Sequence, residues 1–128
     1  MSGGVTTAIA NKIVDHTNGV SAFTEPTTPL KVKLYTTTGT AASAGTEVTG
    51  GSYAAQSVTM GSSSAGVASN TGAVVFNGMP ACTVTGVEIY DSAGTPVRLW
   101  WGPLAASKTL NSGDTFQFDI AALSVSVV

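Results

Sequence analysis

Charge is what this sequence has least of. Five Lys or Arg and seven Asp or Glu make up 9% of its 128 residues, where a soluble domain ordinarily carries about a quarter. A solitary domain spreads charges of both signs over its surface to resist association, so a surface this neutral is expected to face other protein. The cations Lys12, Lys31, Lys33, Arg98 and Lys108 are scattered and the net charge is −2. No basic stripe exists to follow a phosphate backbone, which excludes nucleic acid as a partner. One cysteine, Cys82, excludes an internal disulfide, and His16 is the single histidine, so no Cys/His set exists for zinc. No metal or cofactor is expected. Nor does any run approach the roughly 18 apolar residues of a membrane span. The opening MSGGVTTAIANKIVDH has no basic start, apolar run or small-residue cleavage site, and so does not read as a secretory signal.

What is present is strand patterning. Phe116, Phe118 and Ile120 alternate with Thr115, Gln117 and Asp119, and Leu123, Val125 and Val127 alternate with Ser124 and Ser126. Period two means one buried and one wet face. Residues 91–96 (DSAGTP) and 111–114 (NSGD) supply turn chemistry between such runs. Thr83 to Val128 therefore reads as an antiparallel meander of four strands. Upstream, Leu30 to Tyr35 alternates with its two lysines outward, as suits an edge strand, and further strands are expected at Tyr53 to Met60, Val67 to Ser69 and Ala73 to Phe76. Asn77-Gly78-Met79-Pro80 closes the last of these. Residues 36–51, rich in Thr, Ala, Ser and Gly, read as a flexible loop long enough to carry a contact surface. Eight short strands separated by turns imply an all-β, antiparallel, jelly-roll-like β-sandwich.

Helical spacing occurs once. Val5, Ile9 and Ile13 fall at i, i+4 and i+8, and Asn18-Gly19 follows as a stop signal. A helix of three to four turns is marginal alone, so its narrow stripe must pack on its own sandwich or on a neighbour. Pro26 and Pro29 then favour an extended connector. The chain divides into an arm with connector, residues 1–29, and a sandwich, residues 30–128.

Chemistry is scarce. Glu88 and Asp91 are the nearest pair of carboxylates, but at three residues apart across a strand end they point to different faces, and Asp91 stands where a turn wants a short acceptor. The carboxylates of Thr83 to Val128, Glu88 among them, read as groups of turns and wet faces. The glycines of 50–51 and 61–66 have no Lys-Ser/Thr after them and open no phosphate-binding loop. His16 has no nucleophile motif beside it and suits a helix end. No catalytic residue is assigned. Adjacent tryptophans on a strand face opposite sides, so of Trp100 and Trp101 one fills the core and one lies outside. An outward tryptophan is a contact residue between subunits in preference to a sugar platform. The candidate protein-contact residues are Val5, Ile9, Ile13 and Trp101.

Several stretches together resemble a known family: VKLY at 32–35, TEVTGGSYAAQSVTMG at 46–61, NTGAVVF at 70–76, VTGVEIYD at 84–91, WWGPL at 100–104 and KTLNSGDT at 108–115. In order and spacing they are similar to small virion proteins of tailed bacteriophages, described as tail-fibre-like, minor tail or minor capsid proteins. An arginine common in that family after the Tyr-Ala pair is Ala55 here. The resemblance implies a β-sandwich structural component of the virion without enzymatic activity. The compact chain with an arm able to dock favours a capsid decoration protein that binds the major capsid protein and copies of itself, with trimers the expected arrangement. A minor tail or tail-fibre-like protein is the alternative, and a carbohydrate-binding module a more distant one.

Overall fold

A computed structural model describes residues 3–127. Ten strands and one helix run in order: β1 (Gly4–Val5), α1 (Thr7–Thr17), β2 (Leu30–Thr37), β3 (Thr46–Glu47), β4 (Gln56–Val58), β5 (Val67–Ser69), β6 (Val74–Phe76), β7 (Cys82–Tyr90), β8 (Arg98–Leu110), β9 (Phe116–Phe118) and β10 (Ser124–Ser126). The expected all-β sandwich is what forms. Its larger layer is a six-stranded sheet in the order β1-β8-β7-β2-β3, with β4 sharing the far side of β2, and every pairing is antiparallel. Two short ladders, β5 with β10 and β6 with β9, supply the second layer.

Alternation decides which residues go inward. In β2 and β7 the pairs Val32–Ile89 and Leu34–Val87 face the second layer, and all four side chains are essentially sealed from water. The short ladders answer with Val74, Phe76, Phe116, Phe118, Leu123 and Val125. Phe76 sits at the centre, stacked on Tyr53 at 6.0 Å and meeting Phe116 edge-on at 6.2 Å. The Tyr53 hydroxyl accepts a bond from Leu34 N–H (2.9 Å) and donates to Glu47 Oε2 (2.7 Å), so this ring enters the core without an unpaired polar atom. Asn70, 2% exposed, ties the two short ladders together. Its amide donates to the carbonyls of Gly72 and Asp119, and its Oδ1 accepts from Leu123 N–H.

Four expectations change. The stretch from residue 83 is not a meander throughout: β7 and β8 form a hairpin, but β9 crosses to β6 and β10 to β5. Periodicity reports which face of a strand is wet, not which strand lies beside it. The lysine-bearing β2 is interior to its sheet, flanked by β7 on one side and by β3 and β4 on the other. Its lysines are accommodated because their face is the outer one, where Lys33 Nζ lies 4.0 Å above the Tyr90 ring and Lys31 donates to Ser57 Oγ. Strand alternation also overruns its burial: Ile120 and Val127 are 66% and 58% exposed. Finally, Val5 belongs to β1 and not to the helix. Thr6 is extended (φ −68°, ψ 159°) and caps α1, its hydroxyl oxygen accepting from Ile9 N–H at 3.4 Å.

The arm lies on its own sheet. Gly4 and Val5 stand opposite Trp101 and Trp100, Thr6 N–H donates to Leu99 O (3.1 Å), and Thr6 Oγ1 donates to Arg98 O (2.9 Å). Ile9 is buried at 5%. Helix α1 ends where the sequence signals it, with Gly19 at φ +75° and the His16 ring accepting from Phe23 N–H.

Candidate functional site

The outer face of the six-stranded sheet gathers the residues that the core does not use. Register places Lys33, Glu88, Trp101 and Gly4 in one row across β2, β7, β8 and β1, with Lys31, Tyr90 and Arg98 in the next. This face carries two structures side by side, one polar and closed, the other apolar and open.

The polar one centres on Glu88, which is 1% exposed. Arg98 grips it with both sides of the guanidinium, Nε to Oε1 at 2.8 Å and Nη2 to Oε2 at 2.9 Å. Gly45 N–H (3.1 Å) and the Tyr90 hydroxyl (3.2 Å) complete the carboxylate's bonds. The Tyr35 hydroxyl in turn donates to that of Tyr90. Arg98 spends its remaining donors on the carbonyls of Thr40 (2.6 Å) and Ala41 (3.3 Å), and Ala41 O also accepts from Thr7 N–H at the start of α1. The ion pair therefore fixes residues 38–45 onto the sheet and, through them, the helix. The packing is close: a Cβ at Gly39 would stand 2.6 Å from Glu88 Oε2, and one at Gly45 would stand 1.9 Å from Thr37 O. Loop 36–51 is accordingly tethered, not slack, and it contains β3. Sequence reasoning assigned Glu88 to a wet face; its burial follows from that loop folding back over it.

Burial is the main reason the Tyr35 hydroxyl resists ionisation, with the Tyr90 bond and the Glu88 charge acting in the same direction. Tyr53 is likewise pushed up, first by burial and then by its bond to Glu47. At the far end of β7, burial of Asp91 opposes its ionisation. Bonds from Val97 N–H (2.7 Å), Ala93 N–H and Thr27 N–H together outweigh that and hold its carboxyl below the usual range. Glu88 and Asp91 thus serve different partners, and neither is poised toward open solvent. Among the described residues, no group of three His, Cys, Asp or Glu side chains converges as a metal site would require.

The apolar structure is a hollow of about 470 Å³ beside this cluster, bounded by Val5, Ala10, Ile13, Val14, Trp101 and Val127. Three of the four contact candidates, Val5, Ile13 and Trp101, meet here. The fourth, Ile9, is turned into the body and lies by Leu99 at the base of the connector. Trp100 packs on the core and Trp101 on the outer face, as the alternation of neighbours along β8 requires. Val14 and Val127 remain 53% and 58% exposed at the rim. Aliphatic and indole surface with few polar groups can recognise another apolar surface; it lacks the dense hydrogen-bonding of a sugar site. Sequence signals for the Glu88 cluster existed only in part. A Glu inside an otherwise apolar strand is the clue, but its arginine comes ten residues later, across a turn.

A β-sandwich that uses Glu88, Arg98 and Asp91 to fasten its own loops, and leaves an apolar hollow open beside them, has the build of a structural protein. The model of the family described as Podophage GP4 fiber I protein gp80 matches residues 4–126, and the chain belongs to that family. The resemblance to phage virion structural proteins read from the sequence is thereby shown, with a fibre protein as the family's description. No curated protein matches the sequence.

Proposed function

We propose that the protein is a non-enzymatic structural subunit of the phage virion, built into the tail fibre, where copies of the chain pack on one another through the hollow at Trp101. The observation that carries this reading is the family match over residues 4–126, since the family is described by a fibre protein. It favours the tail over the head. Placement on the capsid as a decoration protein rested on an arm free to dock on a shell neighbour. The arm's hydrogen bonds run instead to β8 and to Ala41 of its own chain, which weakens that placement and with it the capsid protein as partner. A non-enzymatic role is supported by the state of the carboxylates: Glu88 is neutralised by Arg98, and Asp91 is saturated by three backbone donors. Self-association is supported by the scarcity of surface charge and by the half-exposed Val14 and Val127 around Trp101. Trimers are the assembly we assign to it, because closed rotational symmetry satisfies every copy alike.

Quantitative mass spectrometry of purified virions, with heads and tails separated, tests the placement. The expected result is the chain in the tail fraction at a low copy number. Recovery on tail-less heads at a stoichiometry matching the shell lattice would overturn it and restore the decoration reading.

A further inference from the structure

The arm of β1 and α1 is held by a small set of contacts that all fall in one region. Gly4 and Val5 pair with Trp101 and Trp100, Thr6 bonds to Leu99 and Arg98, Thr7 bonds to Ala41, and Thr27 bonds to Asp91 and Ser92 at the arm's base. The edge of β8 is shaped for this strand: a Cβ at Gly3 would lie 2.0 Å from Trp101 O and 2.6 Å from Gly102 Cα, so backbone meets backbone there. Among the described residues the connector, by contrast, is attached to the sandwich at its far end alone, where Thr27 bonds to Asp91 and Ser92 and Pro29 O accepts from Ser92 Oγ; Val20, Ser21 and Phe23 bond back to the end of α1. Residues 18–29 are exposed apart from the half-buried Phe23 and Pro26, and Val20 is 73% exposed.

We infer that this arm exchanges between copies: β1 and α1 of one chain lie on the β8 edge of a second copy, in the same contacts that they make within one chain. The inference rests on the self-association proposed above. Exchange creates no new interface and loses none, so the balance between the closed and exchanged forms is set by the connector and by local concentration. With residues 27–29 held at the base, the nine residues 18–26 reach roughly 30 Å when extended, whereas a domain of this length has a radius of gyration of about 14 Å. The connector can therefore carry the arm to an adjacent copy, and Pro26 and Pro29 keep its end extended. Beyond Trp101 no strand among the described residues occupies that side of β8, and Ala105 to Thr109 are exposed, which leaves room for a second copy's body. Exchange ties the copies of a closed trimer to one another, because each subunit is then held by a segment of its neighbour and not by surface contact alone.

Disulfide trapping in the full chain tests this. Opposed residues in an antiparallel ladder lie about 4.5–5.5 Å apart, within disulfide reach. Val5→Cys with Trp100→Cys, in a Cys82→Ser background, reports which chain's arm occupies the edge. Thr7→Cys with Ala41→Cys is a second reporter that leaves the tryptophan in place. After oxidation of concentrated protein, non-reducing gels are expected to show covalent multimers as the major species for both reporters. Multimers in light scattering whose disulfides are all intrachain would overturn exchange and leave self-association intact. A monomer at every concentration, linked only within the chain, would overturn both.

Discussion

The two faces of the six-stranded sheet are built on opposite principles. Inward, Val32, Leu34, Val87 and Ile89 meet the phenylalanines of the short ladders in a dry contact, where each side chain contributes by area and fit. Outward, across the same strands, Glu88, Tyr90 and Arg98 form a bonded cluster that fastens a loop, Lys33 lies over the Tyr90 ring, and Trp101 offers apolar surface to a hollow. The first face resists change in volume; the second resists change in charge. Fold stability comes chiefly from the inner face, while loop position and assembly depend on the outer one.

The comparison breaks most sharply at Phe76. Its ring is 1% exposed between Tyr53 and Phe116, so Phe76→Ala should cost about 3–5 kcal/mol, read from chemical denaturation, and leave much of the chain unfolded. A loss below 1 kcal/mol would mean the second layer is not packed as described. On the outer face the sharpest change is Glu88→Ala, which strands Arg98 beneath the loop. Breaking such a pair costs about 3 kcal/mol, whereas replacing both partners by leucine is close to neutral in stability. The double variant Glu88→Leu with Arg98→Leu should therefore melt near the parent, yet residues 38–45 should exchange their amide hydrogens faster, because the bonds to Thr40, Ala41 and Gly45 are gone. Unchanged exchange would show that the loop holds without the ion pair.

This division explains what was legible in the sequence. Alternation reads inner-face residues directly, so the all-β class, the strand at 67–69, the strand expected at 73–76 and found at 74–76, and the burial of Phe116 and Phe118 could all be read from residue order. Partner choice could not: β9 and β10 carry the same alternation whether they pair with β8 or with β6 and β5, because the pattern holds no information about the neighbour. Val5 continued the helical stripe on paper, yet an extended Thr6 and the open edge of β8 draw it into a strand. Trp101 and Ile13 could be picked out, the first from neighbour alternation and the second from helical spacing, and the structure brings them to one hollow. Glu88 was misplaced because its burial is produced by a loop of Thr, Ala, Ser and Gly whose path no periodicity describes.

Alkaline pH acts on both faces at once. Tyr35 on the outer face and Tyr53 in the core have folded values raised above their unfolded value of about 10, so the stability they contribute is complete below that pH. It is lost as pH rises toward the folded values, at about 1.4 kcal/mol per tyrosine for each pH unit above 10. In a Cys82→Ser background, which removes a thiol that burial also pushes up, denaturation midpoints should hold steady to about pH 10 and fall beyond it. Tyrosinate absorbance should lag behind that of the unfolded chain until the fold is lost. Tyr90 is raised in the same direction, first by its burial, so the Tyr53→Phe variant, which removes one of three ionising hydroxyls, should lose about a third of this slope. A slope equal to the parent's would remove Tyr53 from the account.

The smallest effect on stability should come at Trp101, and there the two faces can be separated within one dipeptide. Trp100→Ala removes a side chain that packs on the core, and it should lower stability by roughly 3 kcal/mol, toward the low end of what truncating a large aromatic costs. Trp101→Ala removes an equal volume from the rim of an open hollow, where little is left to collapse, and should lower it by about 1 kcal/mol. Its larger effect should be on assembly, since a tryptophan at the centre of a contact carries a disproportionate share of its binding. Light scattering is expected to show multimers for Trp100→Ala wherever it remains folded and monomers for Trp101→Ala. If Trp101→Ala instead destabilises the fold as much as its neighbour and leaves multimers unchanged, the indole belongs to the chain's own packing. The contact surface must then be sought along the bare edge of β8.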